Sequence, residues 1–196
     1  MTTIVGIERD GVVYMAADSQ TTISGYKYQI TQKKLFWNRD ILFGVTGSVI
    51  VNQLLRYHLQ LPAHDNGLSD DHYMIQHVMP AVRTVLEPIK GDGYDDFWAL
   101  MGYRGRLYMI SYGFECVRPA EFYAAIGSGR DYAIGAVKTL MIHTPSMHPS
   151  LMVTTAVSVA VSCDTYSSSP VVKMSTTELE ADIDQATPVT AIAAHQ

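Results

Sequence analysis

Three residues of this chain, Thr2, Asp18 and Lys34, have types and spacing that could support catalysis. Initiator methionine is usually removed when the next residue is small, so we expect the mature chain to begin at Thr2. A free N-terminal threonine carries a hydroxyl beside an α-amine whose unperturbed pKa is about 7.7–8.0, and this amine can activate the hydroxyl as a nucleophile. Asp18 follows Thr2 by 16 residues, and Lys34 follows Asp18 by 16. The residues alone favour a plainer interpretation, in which Asp18 caps a turn and the lysine is solvated.

The elements that must position these side chains are strands. Asp10-Gly11 predicts a two-residue hairpin turn between strands at 3–9 and 12–17, because Asp-Gly tolerates the positive φ angles of such turns. Lys33 and Lys34 fall in a third segment, 28–37, which a turn at 38–40 separates from a strand at 41–45. Because neighbouring strand residues point to opposite faces, we expect Lys33 and Lys34 to point apart.

The rest of the chain alternates strands with helical pairs. Helical spacing of apolar residues predicts helices at 48–60, 70–89 and 130–141, with Ser69 as an N-cap and a kink at Pro80. Residues 102–109 resemble the first hairpin, and we expect each hairpin to lie at the centre of its own antiparallel sheet. Residues 121–126 return as a strand. Periodicity leaves residues 151–161 open between strand and helix.

A family resemblance rests on six sequence elements that occur in order over residues 2–175. Thr2-Thr3-Ile4-Val5, Ala16-Ala17-Asp18-Ser19, Lys34 and Gly44-Val45-Thr46-Gly47 resemble the opening of a proteasome β-type subunit and of the HslV-type peptidase. Both are N-terminal-nucleophile hydrolases. Further on, Ile126-Gly127-Ser128-Gly129 is similar to the family's Gly-Ser-Gly element, and Asp164-Thr165-Tyr166-Ser167 matches its Asp-x-x-Ser. Two departures are Ser168-Ser169, where the family usually has Gly-Gly, and Ala17-Asp18-Ser19, where the HslV type usually has Gly-Asp-Gly.

The resemblance implies an α+β fold, a four-layer αββα sandwich of two antiparallel sheets, with a helix at 151–161. It implies a threonine endopeptidase of a self-compartmentalising protease that hydrolyses unfolded proteins. The implied catalytic residues are Thr2, Asp18, Lys34, Gly47, Ser128, Asp164 and Ser167. The implied substrate-binding residues are Thr21, Gln32, Phe36, Val45 and Val49, a mostly apolar and uncharged set that suggests cleavage after hydrophobic residues.

Partners follow from the same resemblance. We expect stacked homo-oligomeric rings of six or seven subunits, fed with unfolded polypeptide by an ATP-dependent unfoldase. The chain has no G-x-x-x-x-G-K-[ST] phosphate loop, so that ATPase must be a separate chain. Two alternatives remain: a catalytically silent ring-forming subunit of the same fold, and a small-molecule amidase.

The composition of the chain argues against other classes of protein, those that bind nucleic acid, span a membrane or hold a metal. The net charge of −5 argues against nucleic acid, and residues 151–161 are too short an apolar run for a bilayer. Two cysteines, expected to be buried, and no signal peptide predict a cytoplasmic protein. Seven histidines lack metal-ligand spacing, so we expect neither a metal site nor a cofactor. We predict a peptidase domain at 1–177 and a flexible acidic tail at 178–196.

Overall fold

The computed structural model describes residues 2–89 and 96–178. The strands are β1 (Thr3–Arg9), β2 (Val12–Ala17), β3 (Gln20–Ile23), β4 (Tyr26–Gln29), β5 (Leu35–Asn38), β6 (Ile41–Val45), β7 (Trp98–Tyr103), β8 (Arg106–Ser111), β9 (Cys116–Val117), β10 (Tyr123–Gly127) and β11 (Val172–Ser175). The helices are α1 (Val49–Tyr57), α2 (Asp70–Tyr73), α3 (Met79–Leu86), α4 (Arg130–His143) and α5 (Pro149–Cys163). A π-helical turn, Met74–Val78, joins α2 to α3, and a 3₁₀ turn, Glu87–Ile89, follows α3.

Two antiparallel sheets form the centre of the molecule. One has the order β10-β1-β2-β11 and the other β5-β6-β7-β8-β9, while β3 and β4 form a separate ribbon. The predicted hairpins, β1–β2 and β7–β8, lie inside these two sheets and are confirmed. Both turn through two residues with positive φ, 53° and 73° at Asp10-Gly11 and 45° and 75° at Arg104-Gly105. That geometry matches the right-handed twist of the flanking strands.

Helices cover the outer face of each sheet, which gives the predicted four-layer αββα sandwich. On one side Val153, Ala156 and Ala160 of α5 pack with Val5 and Ile7 of β1. On the other side α1 and α3 pack against the second sheet. Between the sheets lies a third apolar cluster, whose buried members include Ile4, Val13, Leu100 and Leu107. Each helix pair buries the face of a sheet that would otherwise contact water.

Proline and capping residues set the local shape of the helices. Ser69 accepts a hydrogen bond from the His72 N–H at 3.3 Å, as expected of an N-cap. Pro80 has no N–H for the preceding turn, and the chain accommodates it with the π-helical turn just before, in which the Met79 N–H reaches the Met74 carbonyl. Residues 151–161 belong to α5, because their buried residues recur at helical spacing.

Other expectations are corrected by the structure. Residues 28–37 are not one strand, since β4 ends at Gln29 and β5 begins at Leu35. Burial raises the pKa of the half-buried Cys116 thiol to about 12, with a smaller contribution from Asp71. Cys163 is exposed rather than buried, because it ends α5 on the outer surface.

Apart from Glu178, the predicted tail lies outside the described residues, as does Met1. Over the described part of the chain, no helix has the length and apolar character needed to cross a membrane.

Candidate active site

Thr2 directly precedes β1, which lies between β10 and β2 in the first sheet. Its residue surface is only 3% exposed. Gly127, the last residue of β10, has a φ of 96°, and a Cβ at this position would overlap the carbonyl oxygen of Thr2. Only glycine permits both that backbone conformation and that close approach. The next residue, Ser128, donates a hydrogen bond from its Oγ to the same carbonyl at 3.4 Å.

Asp18 and Lys34 form a buried ion pair beside this strand. Asp18 follows β2 and is 1% exposed. Its Oδ1 accepts hydrogen bonds from the Thr3 N–H at 2.8 Å and from Lys34 Nζ at 2.7 Å. Its Oδ2 accepts from the N–H groups of Gln20 and Ser168, at 2.9 and 3.2 Å. Three backbone donors and one ammonium therefore satisfy this carboxylate.

The ammonium of Lys34 is held in a low-dielectric environment. Its side chain is 11% exposed, and its own carbonyl accepts a hydrogen bond from the Val45 N–H at 3.2 Å, which ties the main chain to β6. Burial lowers the pKa of Lys34 and outweighs the opposing effect of Asp18. A lysine with a lowered pKa exchanges protons more readily than a solvated one.

A second polar cluster faces the other side of β1. Asp164 is the C-cap that follows α5, and its Oδ2 accepts hydrogen bonds from Ser128 Oγ and Ser167 Oγ, both at 2.7 Å. Ser167 Oγ also lies 2.7 Å from Thr3 Oγ1. Burial acts to raise the pKa of Asp164, but the hydrogen bonds from the two serines outweigh it and leave the pKa below its ordinary value. The cluster therefore keeps a negative charge close to the start of the chain.

The departure at Ser168-Ser169 does not disturb this arrangement. Neither serine adopts a positive φ, so the position does not need glycine. The main chain of Ser168 contributes directly, because its N–H donates to Asp18 and its carbonyl accepts from the Ser19 N–H at 3.0 Å.

Two cavities meet at Thr2 and Gly47. The first has a volume of about 300 Å³ and the second about 600 Å³, and both residues line both. Gly47 has a φ of 96°, and a Cβ there would lie 3.0 Å from the Cα of Phe97. A substrate chain lying across the two cavities would pass over Thr2. Lys34 lines the first cavity and Ser128 the second.

The first cavity contains four of the five residues implied as substrate-binding, Thr21, Gln32, Val45 and Val49. Phe36 is not among its lining residues. Along β5 the side chains alternate, and Phe36 points into the core under α1, where its ring stacks on Phe43 with centroids 5.5 Å apart.

Several lining residues were not expected from the sequence, and Lys33 and Asn52 are the two that matter most for the chemistry of the cavity. Lys33 lines the cavity together with Lys34, but Lys33 is exposed whereas the Lys34 ammonium is held by the buried Asp18, so the expectation that the two side chains point apart stays a prediction. Residues 30–34 are not a strand, and strand alternation does not apply to them. Asn52 also lines the cavity; the signal for it was its position one helical turn after Val49.

Comparison with known proteins gives the family. The family model described as "Proteasome subunit" matches residues 1–168. The chain belongs to the proteasome subunit family. A curated relative, the ATP-dependent protease subunit HslV of Neorickettsia sennetsu, is 30% identical over 158 residues, which cover 74% of this chain and 77% of the relative. The HslV subunit of Lacticaseibacillus casei is 25% identical over 177 residues, covering 88% of this chain and 98% of its own length.

Solved structures agree with the fold. The structure of Thiobacillus denitrificans BPH in complex with epoxomicin is similar with a TM-score of 0.73 at 20% identity, and the match covers 89% of this chain and 97% of that one. The family model and the HslV relatives together identify a proteasome-like protease subunit, a hydrolase of the peptidase class.

Proposed function

We propose that this chain is an N-terminal-threonine endopeptidase subunit of a self-compartmentalising protease. The observation that carries the proposal is the position of Thr2: it lies where two cavities meet, with the Asp18–Lys34 pair nearby and the Ser128–Asp164–Ser167 cluster on the opposite side. Removal of Met1 would expose the α-amine of Thr2 and supply the base that the hydroxyl needs.

In the first step, Thr2 Oγ attacks the carbonyl carbon of a peptide bond while the α-amine accepts the hydroxyl proton, directly or through a water molecule. The positive charge of Lys34 favours the deprotonated amine and the developing alkoxide. Asp18 holds Lys34 in place through the 2.7 Å ion pair. Ser128, Asp164 and Ser167 orient the amine.

The tetrahedral intermediate places a negative charge on the former carbonyl oxygen. The Gly47 N–H is the proposed donor for this oxyanion, a contribution of about 2.7–4 kcal/mol per donor in other hydrolases. Collapse of the intermediate breaks the C–N bond, and the leaving amine takes the proton from the α-ammonium. Water then attacks the acyl-threonine ester, gives up a proton to the amine, and releases the acid product and free Thr2.

The family places such sites inside closed assemblies. We expect this chain to form stacked homo-oligomeric rings in the cytoplasm and to receive unfolded polypeptide from a separate ATP-dependent unfoldase. The two alternatives are a silent ring subunit and a small-molecule amidase. Silent subunits typically lose the threonine or the lysine, and this chain has both Thr2 and Lys34. A cleft that continues on both sides of Thr2 suits a polypeptide better than a small amide.

The proposal is tested with Thr2→Ala, Thr2→Ser and the control Lys173→Ala, which removes an exposed lysine on β11. Thr2→Ala should lose peptidase activity on fluorogenic peptides, Thr2→Ser should retain part of it, and Lys173→Ala should match the wild type. Light scattering checks that all variants assemble equally. Full activity of assembled Thr2→Ala would refute the threonine mechanism.

A further inference from the structure

The first cavity contains a chain of hydrogen-bonded amide side chains. Gln53 Nε2 donates to Gln32 Oε1 at 3.3 Å, and Gln32 Nε2 donates to Asn52 Oδ1 at 2.7 Å. Gln32 and Asn52 both line the cavity, and Asn52 is only 8% exposed. Each amide oxygen in this pair already accepts one hydrogen bond and keeps one further lone pair, whereas one N–H of Gln32 and both N–H groups of Asn52 remain for a ligand, so donors predominate. This part of the cavity is suited to an oxygen acceptor.

The charge of the residues around the cavity also favours a ligand with oxygen acceptors over a cationic one. Lys33 is an exposed cation at the rim, and the described residues that line the cavity include no aspartate or glutamate. The nearest carboxylate of the mechanism, Asp18, is buried and bonded to Lys34. A carboxylate entering the cavity would therefore be attracted, and an ammonium would be repelled.

The remaining walls are apolar. Ile30, Val45 and Val49 line the cavity and can pack against methylene groups. A substrate side chain that matches both the apolar walls and the amide donors of the cavity has a short apolar stem and ends in an oxygen acceptor. Glutamate and glutamine have this structure, while methionine has the stem without a strong acceptor and lysine ends in a cation.

We infer that the first cavity selects substrates with glutamate or glutamine on the acyl side of the cleaved bond, in place of the hydrophobic residues that the sequence suggested. This inference rests on the proposed function, because it names the substrate class of the same site. Neutral hydrogen bonds in a partly open site are modest, so we expect about a 3- to 10-fold preference in kcat/KM over methionine. Lysine at the same position should be cleaved at least about tenfold more slowly than glutamate.

The test uses four fluorogenic peptides that differ only in the residue next to the leaving group, which is Glu, Gln, Met or Lys. Asn52→Leu removes the amide with little change in size and should lower kcat/KM for Glu and Gln about 3- to 10-fold while leaving Met unchanged. Lys33→Met should lower the value for Glu alone. The matched control Gln60→Leu removes an exposed amide just beyond α1 and should preserve all four ratios.

A charge reversal keeps the test valid if Asn52→Leu fails to fold. Asn52→Asp has almost the same shape and should shift the preference from Glu towards Lys, because the new carboxylate offsets the positive charge of the cavity. A wild-type enzyme that cleaves Met or Lys fastest, or an Asn52→Asp variant with wild-type ratios, would overturn the inference and leave the proposed function standing. A wild type that cleaves none of the four peptides would overturn the proposed function and the inference with it.

Discussion

Replacing Asp18 by asparagine should destabilise the protein strongly, because the substitution leaves Lys34 buried without its counter-charge. The Asp18 carboxylate is fully buried and the Lys34 side chain is 11% exposed. Breaking such a pair on one side costs about 3–5 kcal/mol. The new amide NH₂ would also meet backbone N–H donors now bound by the carboxylate, those of Gln20 and Ser168 among them.

The stability lost in Asp18→Asn should depend on pH in a defined direction. The pKa of Lys34 is lowered in the folded protein, so between that pKa and about 10.4 the folded state binds fewer protons than the unfolded chain. Stability attributable to Lys34 therefore rises with pH across that window. Asp18 opposes the lowering, and its removal extends the window to lower pH. The destabilisation by Asp18→Asn should be largest at neutral pH and shrink towards pH 9.5.

Urea unfolding at pH 7 and pH 9.5, at one fixed protomer concentration, measures both effects. With a slope of about 3 kcal/mol/M, the expected loss moves the midpoint by about 1–1.7 M at pH 7. The control Asp10→Asn makes the same chemical change in an exposed hairpin turn that accepts asparagine, and should leave the midpoint unchanged. A midpoint shift below about 0.2 M (about 0.6 kcal/mol at this slope) for Asp18→Asn, or a loss that grows with pH, would refute the reasoning.

Three further predictions concern the backbone at Thr2, the lysine and the assembly. Gly127→Ala should lower the melting temperature and the activity together, because the new Cβ would overlap the Thr2 carbonyl at a φ of 96°. The control Gly135→Ala, in the open part of α4, should stabilise the protein by up to about 1 kcal/mol. Similar melting temperatures for the two variants would contradict this. In the wild type, kcat/KM should fall on the alkaline side at a pH below the ordinary lysine pKa, because rising pH neutralises Lys34 at its lowered pKa. Lys34→Met should shift the acidic limb of the profile upward, towards the pKa of a free α-amine. An unchanged pH profile in the residual activity of Lys34→Met would argue against both roles. Light scattering at micromolar concentration should find a closed ring or a pair of rings, and monomers or dimers alone would contradict ring assembly.

The parts of the fold that local chemistry determines could be predicted from the sequence. The two-residue turn at Asp10-Gly11 fixes the register of β1 on β2, in which Ile4 pairs with Ala17, and so places Asp18 beside Thr3. The helices are marked by apolar spacing and capping residues. The position of Lys34 depends instead on residues 30–34, an irregular segment whose path is set by contacts distant in sequence, and its assignment to one catalytic site with Asp18 came from the family resemblance.

The substrate cavity was the least predictable part of the site. Phe36 was assigned to it by resemblance, but its position on β5 places it in the core. Asn52 was missed although it lies one helical turn after Val49, which the resemblance had assigned to the site. The polar character of this cavity follows from the way α1 and residues 30–34 come together, which is a tertiary arrangement.

The central claim, that Thr2 is the covalent nucleophile, is tested most directly by trapping its acyl intermediate. The purified protein is mixed with an excess of a peptide p-nitrophenyl ester, p-nitrophenol release is followed, and the reaction is quenched in acid for peptide mapping by mass spectrometry. We predict a burst of about one p-nitrophenol per protomer, an N-terminal peptide that begins at Thr2, and the acyl group on that residue. An N-terminal peptide that begins with Met1 in the active protein, or an acyl group on any other residue, would contradict the account.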